Sequence, residues 1–147
     1  MRSTYRVLAG LIALSVILQA AFIGAGTFGV FHDADNGTVF DKNNLNVAQI
    51  AHSITGSMLI PLAALVLLII SFFAKVPGGV KWAAIVFGLV VVQIMLAYAS
   101  YGVPQIGFLH GINALALFSV AVLASRRARG AAPVGEAAAA PVTDAKV

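Results

Sequence analysis

The sequence predicts an all-α integral membrane protein, a four-helix up-down bundle with both termini inside. The chain has 147 residues, of which 61% are hydrophobic and 10% charged, whereas an average soluble domain has about 25% charged residues. Four apolar runs reach the roughly 20 residues that a membrane-spanning helix needs. The lysines and arginines cluster at the ends of these runs rather than within them. Together these observations predict a multi-pass protein of the cell (cytoplasmic) membrane, most typically the bacterial inner membrane.

The four predicted spans are Val7 to Phe28, Val47 to Ala74, Trp82 to Tyr101 and Ile106 to Ala124. The first run could also be a signal peptide, but its apolar stretch exceeds the roughly 7–15 residues of a signal core, which favours an uncleaved helix. The spans form one transmembrane domain, residues 1–128. Residues 129–147 are rich in Ala, Pro and Gly and lack apolar periodicity, so we predict a disordered cytoplasmic tail.

The charge distribution assigns the two sides. An even number of spans places most basic residues on one side, namely Arg2, Arg6, Lys75, Lys81, Arg126, Arg127 and Arg129. The opposite side then holds only Lys42, with Asp33, Asp35 and Asp41. Because basic residues accumulate in cytoplasmic loops, this predicts an N-in, C-in orientation. The net charge of +4 is thereby explained by the membrane, and nucleic acid is not an expected partner.

Two histidines, His52 and His110, lie inside otherwise apolar spans, where an ionisable side chain is costly and usually functional. The second and fourth spans run in the same direction, so both histidines lie near the outer face. A weak internal repeat makes them equivalent: His52-Ser-Ile-Thr-Gly aligns with His110-Gly-Ile-Asn-Ala, and Gln19 aligns with Gln93. Counted in residues, however, His52 is farther from the inner end of the second span than His110 is from the inner end of the fourth span. We expect the two glutamines to form hydrogen bonds between helices.

The leading interpretation is a bis-histidine heme. Imidazole is a good iron ligand, and helix bundles build cofactor sites from facing side chains. His52 and His110 would bind the iron of a heme b near the outer face, attached without covalent bonds because the chain has no cysteine. Two histidine ligands fill both axial positions, which favours electron transfer or heme handling over oxygen chemistry. Such a protein is not expected to be an enzyme by itself.

Two alternatives stay open. In the first, the chain is a cofactor-free membrane subunit or assembly factor whose histidines form hydrogen bonds between helices. In the second, it is a small transporter, although its spans lack the paired Gly or Pro breaks typical of that class. A homodimer or a membrane redox partner is compatible with the leading interpretation.

The segment Gln93-Ile-Met-Leu-Ala-Tyr-Ala-Ser-Tyr-Gly, followed by Leu109-His110 and an Ala/Leu-rich helix, resembles the third and fourth helices of the heme A synthase superfamily. Each four-helix half of those enzymes carries a histidine on its second and fourth helices. The resemblance spans about residues 5 to 127 and extends to small four-helix membrane proteins of actinobacteria. It implies that His52 and His110 are axial heme ligands. The chain corresponds to one half and lacks the family's cysteine pair, which implies electron transfer or heme handling rather than heme oxidation.

The outer loop between the first two spans, residues 29–46, is polar and acidic. Asp33, Asp35 and Asp41 are spaced like part of a calcium loop, but the other expected ligands are missing. The prediction is a solvated, turn-rich loop. Pro61 is expected to kink the second span.

Overall fold

The computed structural model describes residues 1–39 and 44–130, and these contain helices and no strand. The α-helices are α1 (Arg2–Asp35), α2 (Val47–Ile54), α3 (Ile60–Ser71), α4 (Gly79–Gly102) and α5 (Ile106–Arg127). A π-helical turn, Thr55–Leu59, joins α2 to α3. Together α2, this turn and α3 form the span Val47–Ser71, so four helical elements are long and apolar enough to cross a membrane. The all-helical prediction and the number of candidate spans are confirmed. The tail from residue 131 onward, with Asp41 and Lys42, lies outside the described residues.

The helix α1 is longer than predicted. It continues past Phe28 to Asp35, so the prediction that residues 29–35 belong to a turn-rich loop was wrong. The helix ends at Asn36 and Gly37, where Asn36 Nδ2 donates to the carbonyl of His32 at 2.9 Å and Gly37 has φ +86°. A positive φ of this kind is a common helix stop and favours glycine.

Small side chains from every span form part of the core. The fully buried alanines are Ala9, Ala64, Ala83, Ala121 and Ala124. Helix α5 packs against α1 and α4, while α3 packs against α1 and α4. Because small residues let helix backbones approach closely in a membrane, these alanines explain how four apolar helices can form one bundle.

This core is concentrated at one end of the bundle. In α1 the buried positions stop at Val16, apart from Gly26. Neither α2 nor the π-helical turn contributes a buried residue, whereas α3 contributes four. The buried residues of α4 end at Val90 and those of α5 begin at Leu117. Among the described residues, the half of the bundle that contains α2 therefore has almost no buried core.

The basic residues meet at the well-packed end. Arg2 Nη2 donates to the carbonyl of Lys75 at 2.9 Å, and the buried Tyr5 hydroxyl donates to the carbonyl of Gly79 at 3.0 Å. The Arg127 guanidinium lies over the Trp82 ring, 4.8 Å from its centre. These contacts join the start of α1, the turn before α4 and the end of α5. The clustering of basic residues that the charge pattern indicated is therefore present in the fold.

The π-helical turn lies directly before Pro61, at the place where the sequence predicts a kink. Proline has no N–H group and its ring crowds the preceding turn, so the regular hydrogen-bond ladder cannot continue through it. Widening the helix by one residue over Thr55–Leu59 is the local response. The widened turn begins three residues after His52 and therefore sets the register between that histidine and the core of α3.

Candidate histidine site

His52 and His110 lie next to each other. Their ring centres are 6.4 Å apart and their planes are inclined by 58°. His52 is on α2 and His110 is on the first half of α5, so the rings approach each other at the end of the bundle that lacks a buried core. Both side chains are half-buried. His52 precedes the end of its span at Ser71 by 19 residues, and His110 precedes the end of its span at Arg127 by 17, so the two histidines lie at similar distances from these ends.

Each histidine contacts a backbone carbonyl of the preceding span. His52 Nδ1 lies 3.1 Å from the carbonyl oxygen of Gln19, and His110 Nδ1 lies 3.0 Å from the carbonyl oxygen of Gln93. A protonated Nδ1 donates to such a carbonyl, which orients the ring and leaves the lone pair on Nε2. The repeat seen in the sequence thus extends to hydrogen bonding. In both cases the carbonyl belongs to the neighbouring span and not to the histidine's own helix.

The Gln93 side chain closes a polar network around His110. Its Nε2 donates to the carbonyl of His110 at 3.0 Å and lies 3.1 Å from His110 Nε2. Its Oε1 accepts from Asn113 Nδ2, which also donates to the carbonyl of Leu89. His110 therefore carries its proton on Nδ1, and its Nε2 accepts from the Gln93 amide. A metal ion could bind this Nε2 only after the amide has moved away.

The Gln19 side chain lies beside His52, as Gln93 lies beside His110. Its amide can take two orientations, and each corresponds to one tautomer of the His52 ring. With its oxygen toward His52, Gln19 donates from Nε2 to the Thr55 hydroxyl, but its oxygen then faces the His52 carbonyl oxygen and its Nε2 faces the Gly56 amide. With its nitrogen toward His52, it donates to Nδ1 at 2.6 Å and to the His52 carbonyl at 3.1 Å, and its oxygen accepts from the Gly56 amide at 2.9 Å. The first orientation leaves the lone pair on Nε2, and the second places the proton there.

Thr55 is a member of the site that the sequence reasoning missed, and Asn113 occupies the equivalent position in the second half. Each stands three residues after its histidine and bonds the glutamine of its own half. The signal was present, since the repeat aligns them. The unit that recurs is therefore a glutamine on one helix with a histidine and a polar residue on the next. The predicted interhelical hydrogen bonds of both glutamines are confirmed.

The small residues around the histidines have different neighbours. A Cβ added to Gly56 would lie 3.4 Å from Gln19 Nε2, so this glycine makes room for the glutamine. A Cβ added to Gly111 would meet nothing within 4 Å. Gly111 is exposed and therefore lies on the outer surface of α5.

Other polar groups of this end are already engaged or lie at the surface. Gln49 forms a reciprocal cap with Asn46, at 3.0 Å in both directions. Tyr98 and Tyr101 are exposed and lie 6.4 Å apart. Asp33 and Asp35 belong to α1 and Asp41 lies outside the described residues, so the partial calcium pattern gains no support. Within residues 1–39 and 44–130, no group of three His, Cys, Asp or Glu side chains could hold a metal ion.

The donor set nevertheless suits a metal ion held from two sides. Two imidazoles on opposite sides of one ion, with metal–nitrogen bonds of about 2 Å, have ring centres roughly 6 Å apart. The observed 6.4 Å matches this spacing. Two neutral nitrogen ligands without carboxylates or thiolates leave any further coordination to come from the cofactor itself, as in a heme.

No family model, curated protein or solved structure matches this chain. The resemblance to one half of a heme A synthase accordingly depends on the residues quoted above.

Proposed function

We propose that this chain is a small b-type heme protein of the cytoplasmic membrane, with His52 and His110 as the axial ligands. The observation that carries the proposal is the 6.4 Å separation of the two rings, each with Nδ1 on a carbonyl of the repeat-equivalent glutamine. A bound heme would supply one-electron transfer. The backbone carbonyls of Gln19 and Gln93 orient the two imidazoles. Electron transfer or heme handling is the role, exercised with a membrane redox partner or as a homodimer.

The same proposal includes an up-down bundle with both termini inside and the histidines near the outer face. The clustering of basic residues at the opposite end of the bundle supports it through the positive-inside rule. The hydrogen bonds from Arg2 to Lys75 and from Ser125 to the carbonyl of Arg6 tie the basic segments together at that end.

The test is spectroscopic. We expect protein purified in detergent after expression with ample heme to show a sharp Soret band and split α and β bands on reduction. His52→Ala and His110→Ala should each abolish the low-spin spectrum, because a six-coordinate iron needs both ligands. His32→Ala is the matched control, since His32 is exposed near the end of α1. Colourless wild-type protein, or a low-spin spectrum that survives either substitution, would exclude the pair as ligands.

A second candidate, a cofactor-free subunit or assembly factor, is favoured by a different observation. The Gln93 amide occupies His110 Nε2 at 3.1 Å, so this ring is fully hydrogen-bonded without any ligand. Under this alternative, His110→Ala would lower the stability of the bundle, and reconstitution with heme would produce no low-spin spectrum in any variant.

A further inference from the structure

A polar cavity opens between α1 and α5 at the basic end of the bundle, far from the histidines. Its volume is about 290 Å³, well above the roughly 10–15 Å³ that one water molecule requires. Its lining residues are Gly10, Ala13, Val122, Ser125, Arg126 and Arg129. Two arginines therefore border a cavity whose other lining residues are small or apolar.

The local sequence explains the cavity. On α1 the residues at this level are Gly10 and Ala13, so this helix presents little side-chain volume. On α5 the Ser125 hydroxyl donates to the carbonyl of Arg6 at 3.0 Å, which pins the two helices next to the cavity. A Cβ added to Gly10 would still lie 3.6 Å from Ser125 Oγ. Small residues and one pinning hydrogen bond thus hold two spans together around an open space.

The three arginines at the end of α5 lie in two different environments. Arg126 lies in the last turn of α5 and Arg129 lies two residues beyond the end of that helix, and both line the cavity. Arg127, between them, lies instead over the Trp82 ring on α4. Neighbouring residues of the same type therefore provide a natural contrast between cavity and non-cavity positions.

The charge of the cavity has no acidic counterpart in the described residues. Asp33 and Asp35 are the only carboxylates in the described part of the chain, and they stand at the opposite end of the 34-residue α1. At 1.5 Å per residue, they are about 30 Å or more from Gly10 along the helix axis. Beyond a Debye length of about 8–10 Å such charges are largely screened from one another. An anion bound in the cavity would balance the positive charges of Arg126 and Arg129.

We propose that this cavity binds the phosphate of an anionic phospholipid. Both helices that form the cavity are candidate membrane spans, so we look for a ligand that can enter it from the bilayer as well as from water. Guanidinium groups bind phosphate through paired N–H donors, and basic pockets between spans recognise lipid head groups. The neighbouring Leu11 and Leu123 are exposed on the same two helices and would contact the acyl chains. This site is independent of the proposed heme.

The experiment is native mass spectrometry of the full chain in a nonionic detergent, titrated with equal amounts of phosphatidylglycerol and phosphatidylcholine. A parallel arm adds inorganic phosphate. We expect one phosphatidylglycerol molecule to be retained in preference to phosphatidylcholine, with no displacement by phosphate at equal concentration. Arg126→Gln and Arg129→Gln should each weaken retention about fivefold, which is the affinity equivalent of one basic residue near an anionic surface. Arg127→Gln should change retention less than twofold.

A second substitution tests the cavity itself. Gly10→Leu would fill the space from the α1 side, and we expect it to remove the retained lipid. Gly88→Leu is its control, because a Cβ at Gly88 meets nothing within 4 Å. Equal loss from Arg126→Gln and Arg127→Gln would overturn the proposal, since the effect would then be one of general charge. Displacement of the lipid by an equal concentration of inorganic phosphate would overturn the assignment to phospholipid.

Discussion

Replacing Gln93 by Leu should have opposite effects on stability and on heme affinity. The Gln93 amide donates to the carbonyl and to Nε2 of His110 and accepts from Asn113. Hydrogen bonds between spans contribute about 0.6 kcal/mol each on average. Loss of three therefore lowers the free energy of unfolding by about 2 kcal/mol. The same substitution frees Nε2, the atom that would bind iron, from a competing donor.

The gain in heme affinity follows from that competition. Removing one hydrogen bond of about 0.6 kcal/mol from Nε2 should tighten heme binding about threefold. Affinity is measured by titrating the heme-free protein with hemin and following the Soret band, and stability by unfolding the same protein in a denaturing detergent.

Gln19→Leu is the matched control. Gln19 contacts Nδ1 and the carbonyl of His52, with no contact to Nε2 described. Its loss should lower stability to a similar extent without tightening heme binding. If Gln93→Leu instead weakened heme binding, Gln93 would be part of the heme site rather than a competitor for His110. If both substitutions tightened binding equally, the effect would not act through Nε2.

Two further substitutions test the packing. Gly26→Ala should lower the free energy of unfolding by about 1 kcal/mol, the usual contribution of a helix cap, because the new Cβ would lie 2.8 Å from Gln49 Cγ and disturb the cap at Asn46. A Cβ at Gly24 would meet nothing within 4 Å, so Gly24→Ala should be neutral or slightly stabilising. Leu67→Ala should cost about 2–5 kcal/mol because Leu67 is fully buried, whereas Leu65→Ala, 42% exposed, should cost far less. Thermal unfolding in detergent measures both pairs, and equal costs within a pair would show that the described burial does not govern stability.

The four helices could be predicted because an apolar run of sufficient length directly indicates a segment that can span a bilayer. The end of α1 could not be predicted in this way. An apolar run marks only the part of a helix that suits lipid, and the helix can continue beyond that run until a stop signal such as Asn36-Gly37. The π-helical turn was also missed, although Pro61 marked its place. A proline signals that the ladder must break, but whether the helix bends or widens depends on how the segment packs.

The histidine pair was predictable as a pair because the cost of an imidazole in lipid and the internal repeat are both properties of the sequence. Its hydrogen-bond partners were not. Every residue has a backbone carbonyl, so only the packing of α1 against α2 and of α4 against α5 selects those of Gln19 and Gln93. The Asn113 amide bonds Gln93 and the carbonyl of Leu89, while the His110 ring bonds the carbonyl of Gln93.

The relation between the two halves is what separates the candidate functions. Hydrogen bonding within each half already satisfies its own histidine, through Gln19 in one and Gln93 in the other. Nothing in those bonds requires the two rings to approach each other. Neither α2 nor the first part of α5 contributes buried residues that would force the approach. A structural role explains each glutamine–histidine pair but assigns no function to the two rings lying 6.4 Å apart. A metal ion bound by both imidazoles would use that proximity, and this is why the heme stays the leading proposal.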